Sequence, residues 1–169
     1  PVDADALERS AVWAADHLAS TVARDGQIRY TFDVSEGKVQ RGYNLLRHGG
    51  TTYALLQAYQ RTGHEPWLRA SEAAIGYLLA RSVRDERHGP FGGGDTLWVK
   101  ESSHIKLGGA GLALVMLTQY QQATGSDRHL EDARAYARFL VSQQTESGEF
   151  VYFANLTPGG PPKGQDSAY

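Results

Sequence analysis

The chain has no cysteine, no surplus of basic residues and no long apolar run, and each absence excludes a class of structure or function. Without cysteine it cannot form disulfides, thiolate metal sites or a cysteine nucleophile. Its 17 Lys and Arg are balanced by 19 Asp and Glu, so nucleic acid is not an expected partner. The most apolar stretch, 107–117, spans about 11 residues and predicts a buried helix, so no membrane partner is expected. These features leave the compartment open.

Internal repetition with a period of about 61 residues is the main feature that the chain does have. Segment 26–33 matches segment 148–155, and the glycine-rich segment 89–94 lies where a middle copy is expected. Segment 50–60 likewise matches segment 111–121. A repeated unit of this size cannot bury its apolar face alone, so the repetition predicts units that stack on their neighbours.

Helical periodicity predicts five helices joined by short extended or glycine-rich turns. They are expected at about 5–24, 47–61, 66–81, 106–123 and 127–143. The second and fourth are rich in small and apolar residues, which favours an inner position, whereas the other three are amphipathic and face solvent. This order predicts a single all-α domain over residues 1–169, built from repeated helical hairpins.

The arrangement resembles the (α/α)6 toroid, or six-hairpin, superfamily. The resemblance is carried by segments 43–55 and 106–114, each leading through a Thr-Gly turn to an outer helix. Members include the N-acylglucosamine 2-epimerase and aldose–ketose isomerase group, unsaturated glucuronyl hydrolases and several glycosidase families. The resemblance implies an incomplete toroid that acts on carbohydrates. Because the chain has fewer helices than a closed ring, it also implies either a missing C-terminal half or self-association of copies.

The turns that enter the two inner helices hold two polar clusters, and the first comprises Tyr43, Asn44, Arg47 and His48. Arg47 can bind a carboxylate or sugar hydroxyls, and His48 can transfer a proton near neutral pH. Tyr43 and Asn44 are predicted to bind substrate beside these two catalytic candidates. In the structural alternative, Arg47 and His48 brace or cap the start of the helix.

The second cluster, 95–106, combines an acid, a base, an aromatic ring and two cations ahead of the most apolar helix. Glu101 and His104 are predicted as acid and base, and Trp98 can stack on a sugar ring. Lys106 is predicted to bind substrate. In the structural alternative, serines of this cluster cap the helix, while Glu101 and Lys106 form a surface ion pair.

Carboxyl groups in turns are further candidates, because glycoside hydrolysis needs one protonated and one ionised carboxyl group. The available acids are Asp33, Asp95, Glu101 and Asp166. Asp95 is predicted to be catalytic and Asp166 to bind substrate. Epimerisation or isomerisation would instead use the histidine and glutamate bases to remove a proton next to a carbonyl group.

Two functions are compatible with these patterns. The leading hypothesis is a carbohydrate-active enzyme of the glycoside hydrolase or sugar epimerase/isomerase type, with a small carbohydrate or uronide as ligand. The alternative is a non-catalytic helical-repeat module that binds a glycan, a peptide or a protein on its concave side. The histidines lack paired metal-ligand spacing, so no metal or cofactor is predicted.

Overall fold

Helices dominate the part of the chain that the computed structural model describes, which is residues 3–40, 42–85, 94–101, 104–155 and 163–165. The helices are α1 (Ala4–Thr21), α2 (Leu45–Thr62), α3 (Glu65–Ala80), α4 (Leu107–Thr124) and α5 (Leu130–Ser142). Each lies within a few residues of the bounds that the periodicity predicts.

Short antiparallel strands connect the helices. Strands β1 (Phe32–Asp33) and β2 (Lys38–Val39) form a small hairpin between α1 and α2. The others are β3 (Ser82–Asp85), β4 (Thr96–Glu101), β5 (His104–Lys106), β6 (Phe153–Asn155) and β7 (Lys163–Gln165). Within the described residues these five strands form one sheet in the order β3-β4-β5-β6-β7.

The prediction of an all-α toroid of helical hairpins is therefore wrong, since the fold is mixed α/β, although mostly helical. The segment before α4 pairs with the segment after α5, because Lys106 of β5 lies opposite Phe153 of β6. Consecutive residues Leu97, Trp98 and Val99 are all buried, so β4 lacks the alternating pattern that identifies a strand in a sequence. Aromatic and β-branched residues favour this extended conformation.

The two inner helices, α2 and α4, pack directly against each other, and glycines allow their close approach. A Cβ atom on Gly49 would lie 2.9 Å from the Cβ of Leu112, and one on Gly109 would lie 2.3 Å from the Cδ2 of Leu45. Helix α3 packs on α2, α5 packs on α4, and α1 lies against α2 and α3. The main core fills the space between α2, α4, their outer helices and β4.

The first and third turns repeat at the level of individual backbone hydrogen bonds. Gly26 and Gly148 both have positive φ angles, of 87° and 89°. The equivalent pairs are Val22–Ile28 and Gln144–Phe150 for the bridge, and Ala23–Gln27 and Thr145–Glu149 for the turn bond. These turns are therefore structural copies, as their sequence match predicts.

The inner helices are also copies, but their spacing differs by one residue from the predicted period. Both have 18 residues, with Asn44 and Lys106 at the N-cap and Gly63 and Gly125 at the C-cap. The caps are 62 residues apart, so Gly49 is equivalent to Gly111. The pairing of 50–60 with 111–121 is thus wrong by one position.

Candidate functional site at the entrance to the inner helices

The first turns of α2 and α4 lie side by side, and we call these turns, with the segments that precede them, the entrance. A Cβ atom built on Gly108 of α4 would lie 3.2 Å from the Cδ2 of Leu46 on α2. The backbone N–H of Leu107 donates to the carbonyl oxygen of Tyr152 at 3.1 Å. The turns at residues 22–44 and 143–152 therefore both lead to this end of the molecule.

Arg47 is exposed in the first turn of α2. Its Cζ lies 5.1 Å from the centroid of the Tyr30 ring, which is within range of a cation–π contact. Asn44, predicted to bind substrate, accepts a hydrogen bond from the backbone N–H of Arg47 at 3.0 Å and so caps the helix. The exposed guanidinium thus has an aromatic face on one side and solvent on the other.

His48 follows Arg47 directly but is completely buried. Its Nε2 lies 2.9 Å from the carbonyl oxygen of Ala74, which can only accept, so Nε2 carries the proton and donates. Its Nδ1 is buried without a hydrogen-bond partner among the described residues. Burial lowers the pKa of His48, and the charge of Arg81 adds to the effect, so the imidazole is neutral at pH 7. A ligand at the surface does not reach this ring.

An aromatic cluster holds His48 in place. Its ring centroid lies 5.5 Å from that of Tyr43 and 5.6 Å from that of Tyr77. Arg81 lies over the ring of Tyr77, with its Cζ 4.1 Å from the ring centroid. Tyr77 and Arg81 belong to the end of α3, far from Tyr43 in sequence, so no local pattern could identify them.

Asp95 belongs to an ion-pair network that ties the β3–β4 hairpin to α5. Its carboxylate accepts from Arg84 at 2.8 and 2.9 Å and from Arg138 at 2.6 Å. Arg84 also pairs with Asp132 of α5. Trp98 of the same hairpin is buried, with its ring 5.9 Å from that of Phe139. Asp95 and Trp98 therefore stabilise the packing of the β3–β4 hairpin on α5.

The remaining candidates lie on β4 and β5 or beyond. Glu101 and His104 are direct partners in the register of these strands, so their backbones lie opposite each other. Lys106, two residues later, is half-buried at the N-cap position of α4. Asp166 lies outside the described residues. Glu101, His104 and Lys106 thus lie in the segment that leads into α4. Their predicted roles stay predictions.

Asp33 is held in a turn. Its carboxylate accepts from the hydroxyl of Ser35, the backbone N–H groups of Ser35 and Glu36, and the amide of Gln40. The hydrogen bond from the Ser35 hydroxyl, followed by those from Glu36 and Gln40, lowers the pKa of Asp33. A general acid in glycoside hydrolysis needs a raised pKa, so this carboxylate is not suited to that role.

Large aromatic side chains are exposed around the entrance. Phe32 is 58 % exposed, Tyr152 is 52 % exposed and Phe150 is 39 % exposed. None of the three is among the site residues predicted from the sequence, although Tyr30 and Tyr152 occupy matching positions in the two aligned turns. The repetition of tyrosine at this position of both turns could have identified Tyr152, whereas Phe32 and Phe150 match Ala154 and Ile28 and carry no such pattern.

Two features were not found among the described residues. Among them, no group of three or more His, Asp or Glu side chains is placed to hold a metal ion. In the same part of the chain, no helix has the length and apolar character to cross a membrane.

No family model matches the sequence, and no curated protein matches it significantly.

Proposed function

We propose that the protein is a carbohydrate-active domain whose entrance binds an acidic sugar such as a uronide. The observation that supports this most is the exposed guanidinium of Arg47, which lies over the ring of Tyr30. The proposal includes acid–base chemistry by Glu101 and His104 next to the start of α4.

Aromatic side chains support the sugar part of the proposal. Phe32, Phe150 and Tyr152 each expose part of an aromatic ring to solvent, where a ligand can contact it. The apolar C–H face of a pyranose ring can stack on such a ring, while its hydroxyls remain available for hydrogen bonds. The two turns that carry these rings lead to the adjacent first turns of α2 and α4, so one sugar chain could contact both.

The charge of the entrance supports an acidic ligand. The guanidinium of Arg47 can donate two parallel hydrogen bonds to one carboxylate. The N-termini of α2 and α4 lie side by side, and the positive ends of their helix dipoles add a partial positive charge. Lys106 contributes a second cation at the start of α4. Neutral sugars lack the group that these features recognise.

The register of β4 and β5 supports the catalytic part. Glu101 and His104 are opposite each other on adjacent strands, and the second of these strands leads directly into α4. Hydrolysis of a glycosidic bond and epimerisation next to a carbonyl group both need a proton donor and a proton acceptor. A carboxyl group and an imidazole can fill these two roles near neutral pH.

Replacing Arg47 by alanine should weaken the binding of an acidic sugar. Loss of charge-assisted hydrogen bonds costs about 1.5–3 kcal/mol, which corresponds to an increase in Kd of about 10- to 100-fold. Isothermal titration calorimetry with a glucuronate disaccharide and with its neutral glucose counterpart measures the effect. The matched control is Arg69→Ala, which removes the same charge from an exposed position on α3.

The proposal requires that Arg47→Ala weakens binding of the glucuronate ligand and that Arg69→Ala does not. Equal affinity of the wild-type protein for both disaccharides would contradict a site for acidic sugars. Turnover is tested separately by product analysis with Glu101→Gln and His104→Ala, and both should lose it while binding persists. Binding without turnover in the wild-type protein would remove the catalytic part and leave a binding domain.

A further inference from the structure

An open apolar groove of about 640 Å³ runs between α1 and α2. Alanine and leucine side chains of α1 line one wall, and Ala54, Gln57 and Ala58 of α2 line the other. Leu7, at the end of the α1 wall, is 61 % exposed. The groove lies along the second half of α2, whereas the entrance lies at its first turn.

The α1 wall of the groove corresponds to a face that is buried on α5. The hydrogen bonds of the repeated turns make α1 and α5 equivalent at a spacing of 122 residues. Ala11 and Ala14 are exposed in the groove. Their equivalents on α5, Ala133 and Tyr136, are buried. The same face of the outer helix is therefore exposed on α1 and buried on α5.

Each later outer helix packs on the inner helix that precedes it in the chain, and α5 also packs on β4. Helix α3 packs on α2, and α5 packs on α4. In the described part of the chain no helix precedes α1 in this way, and the groove occupies the corresponding place. An inner helix of the same type therefore fits the groove.

Helix α4 carries the complementary open face. Gly49 of α2 faces Leu112 of α4, whereas the equivalent Gly111 has no atom of the described residues near its Cβ position. Leu56 of α2 is buried, and its equivalent on α4, Thr118, is exposed. The face of α4 that is equivalent to the α4-facing side of α2 is thus open. A further inner helix could pack on it.

We propose that two copies of this chain associate head to tail, with α4 of one copy in the α1–α2 groove of the other. The contact would repeat the one between α2 and α4 within each copy. There, Nε2 of Gln119 donates to Oε1 of Gln60 at 2.8 Å. The repeat spacing of 62 residues translates this pair into Gln57 of one copy and Gln122 of the next, and both are exposed.

This contact joins two different surfaces, so it is heterologous and can continue from copy to copy until a ring closes. The contact would extend to the first turn of α2, where Leu46 would meet Gly108 of the next copy, so it would lie beside Arg47. The groove itself lies along the second half of α2, so association can be measured there without a sugar ligand. Helix α4 cannot fill the groove of its own chain, since it already packs on the opposite side of α2. Association of separate copies satisfies both at once.

Cysteine cross-linking tests the contact, and the absence of native cysteine makes the result clear. Gln57→Cys and Gln122→Cys proteins are mixed in equal amounts and treated with a short bismaleimide. The mixture should give a covalent dimer that neither variant gives alone. The control pair is His17→Cys with Gln122→Cys, because His17 is exposed on α1 outside the groove.

A charge in the groove should remove the cross-link. Adding Ala14→Arg to the Gln57→Cys chain should lower the dimer yield by about tenfold or more, because the charge would be buried without a partner. Ala14 is exposed, so circular dichroism should show an unchanged fold. A yield no higher than that of the control pair, a yield unaffected by Ala14→Arg, or dimers from Gln57→Cys alone would each overturn the head-to-tail contact.

Discussion

Burial decides what neighbouring polar side chains at the entrance can do. Arg47 and His48 are consecutive in α2, yet one is exposed and the other is completely buried. Successive helical residues point about 100° apart, and His48 lies on the same stripe as the buried residues Leu45 and Thr52. This stripe is visible in the sequence and could have separated the exposed candidate from the buried one.

The stability of the protein should fall at acid pH because of His48. Burial lowers its folded-state pKa below the ordinary value of 6.5. Below that pH the unfolded chain therefore takes up a proton that the folded chain does not. The contribution is fully present above pH 6.5 and is lost as pH falls toward the lowered pKa. Urea denaturation between about pH 5 and pH 7 measures this loss as a decrease in the free energy of unfolding.

His48→Gln should flatten this pH dependence, since the glutamine amide can still donate to the carbonyl of Ala74 and does not titrate. The slope should decrease by up to about 1.4 kcal/mol per pH unit, the effect of one proton. His129→Gln is the comparison, because partial burial also lowers the pKa of His129, with a smaller effect expected at a half-buried site. An unchanged slope in His48→Gln would contradict this account of the histidine.

Among the elements, the helices could be predicted from the sequence and the strands could not. Helical periodicity is local, and Thr-Gly pairs mark the ends of α2 and α4 with glycine at positive φ. The sheet depends on pairing between β5 and β6, which lie on either side of α4 and α5. No local pattern reports such a pairing, so the sequence of 95–106 predicts a turn with a polar site, whereas the structure has β4 and β5 there.

The repeated turns differ in how they contact the outer helices, and alanine substitutions at two equivalent glycines should reveal this. A Cβ atom on Gly26 would lie 2.0 Å from the carbonyl oxygen of Ala73 on α3, whereas Gly148 has only the Nε2 of Gln144, at 4.0 Å. Both have positive φ, so both alanines bear a strain of about 1–2 kcal/mol. Gly26→Ala adds a backbone clash.

Thermal or urea unfolding should therefore show a loss of about 3 kcal/mol or more for Gly26→Ala and about 1–2 kcal/mol for Gly148→Ala. The difference between the two values measures how tightly the first turn packs on α3. Equal losses would mean that this packing contributes nothing beyond the backbone conformation.

At the scale of the whole molecule, the repeat explains which helix faces are buried and which are exposed. Its period was visible in the sequence because equivalent turns and helices keep similar residues, such as Tyr30 and Tyr152. Its consequences for packing were not, since they depend on which faces the neighbouring units cover. Stacked units bury the faces between them and leave a groove beside α1 and an open face on α4. The entrance lies where the equivalent inner helices begin.

The central claim is that an acidic sugar binds at this entrance. Its most direct test is an NMR titration of the 15N-labelled protein with the glucuronate disaccharide, followed through backbone amide shifts. The account predicts saturable shifts at Tyr30, Arg47 and Tyr152, with the amides of Leu7 and Ala11 in the α1–α2 groove unaffected. Shifts confined to the groove, or the same shifts with the neutral disaccharide, would contradict it.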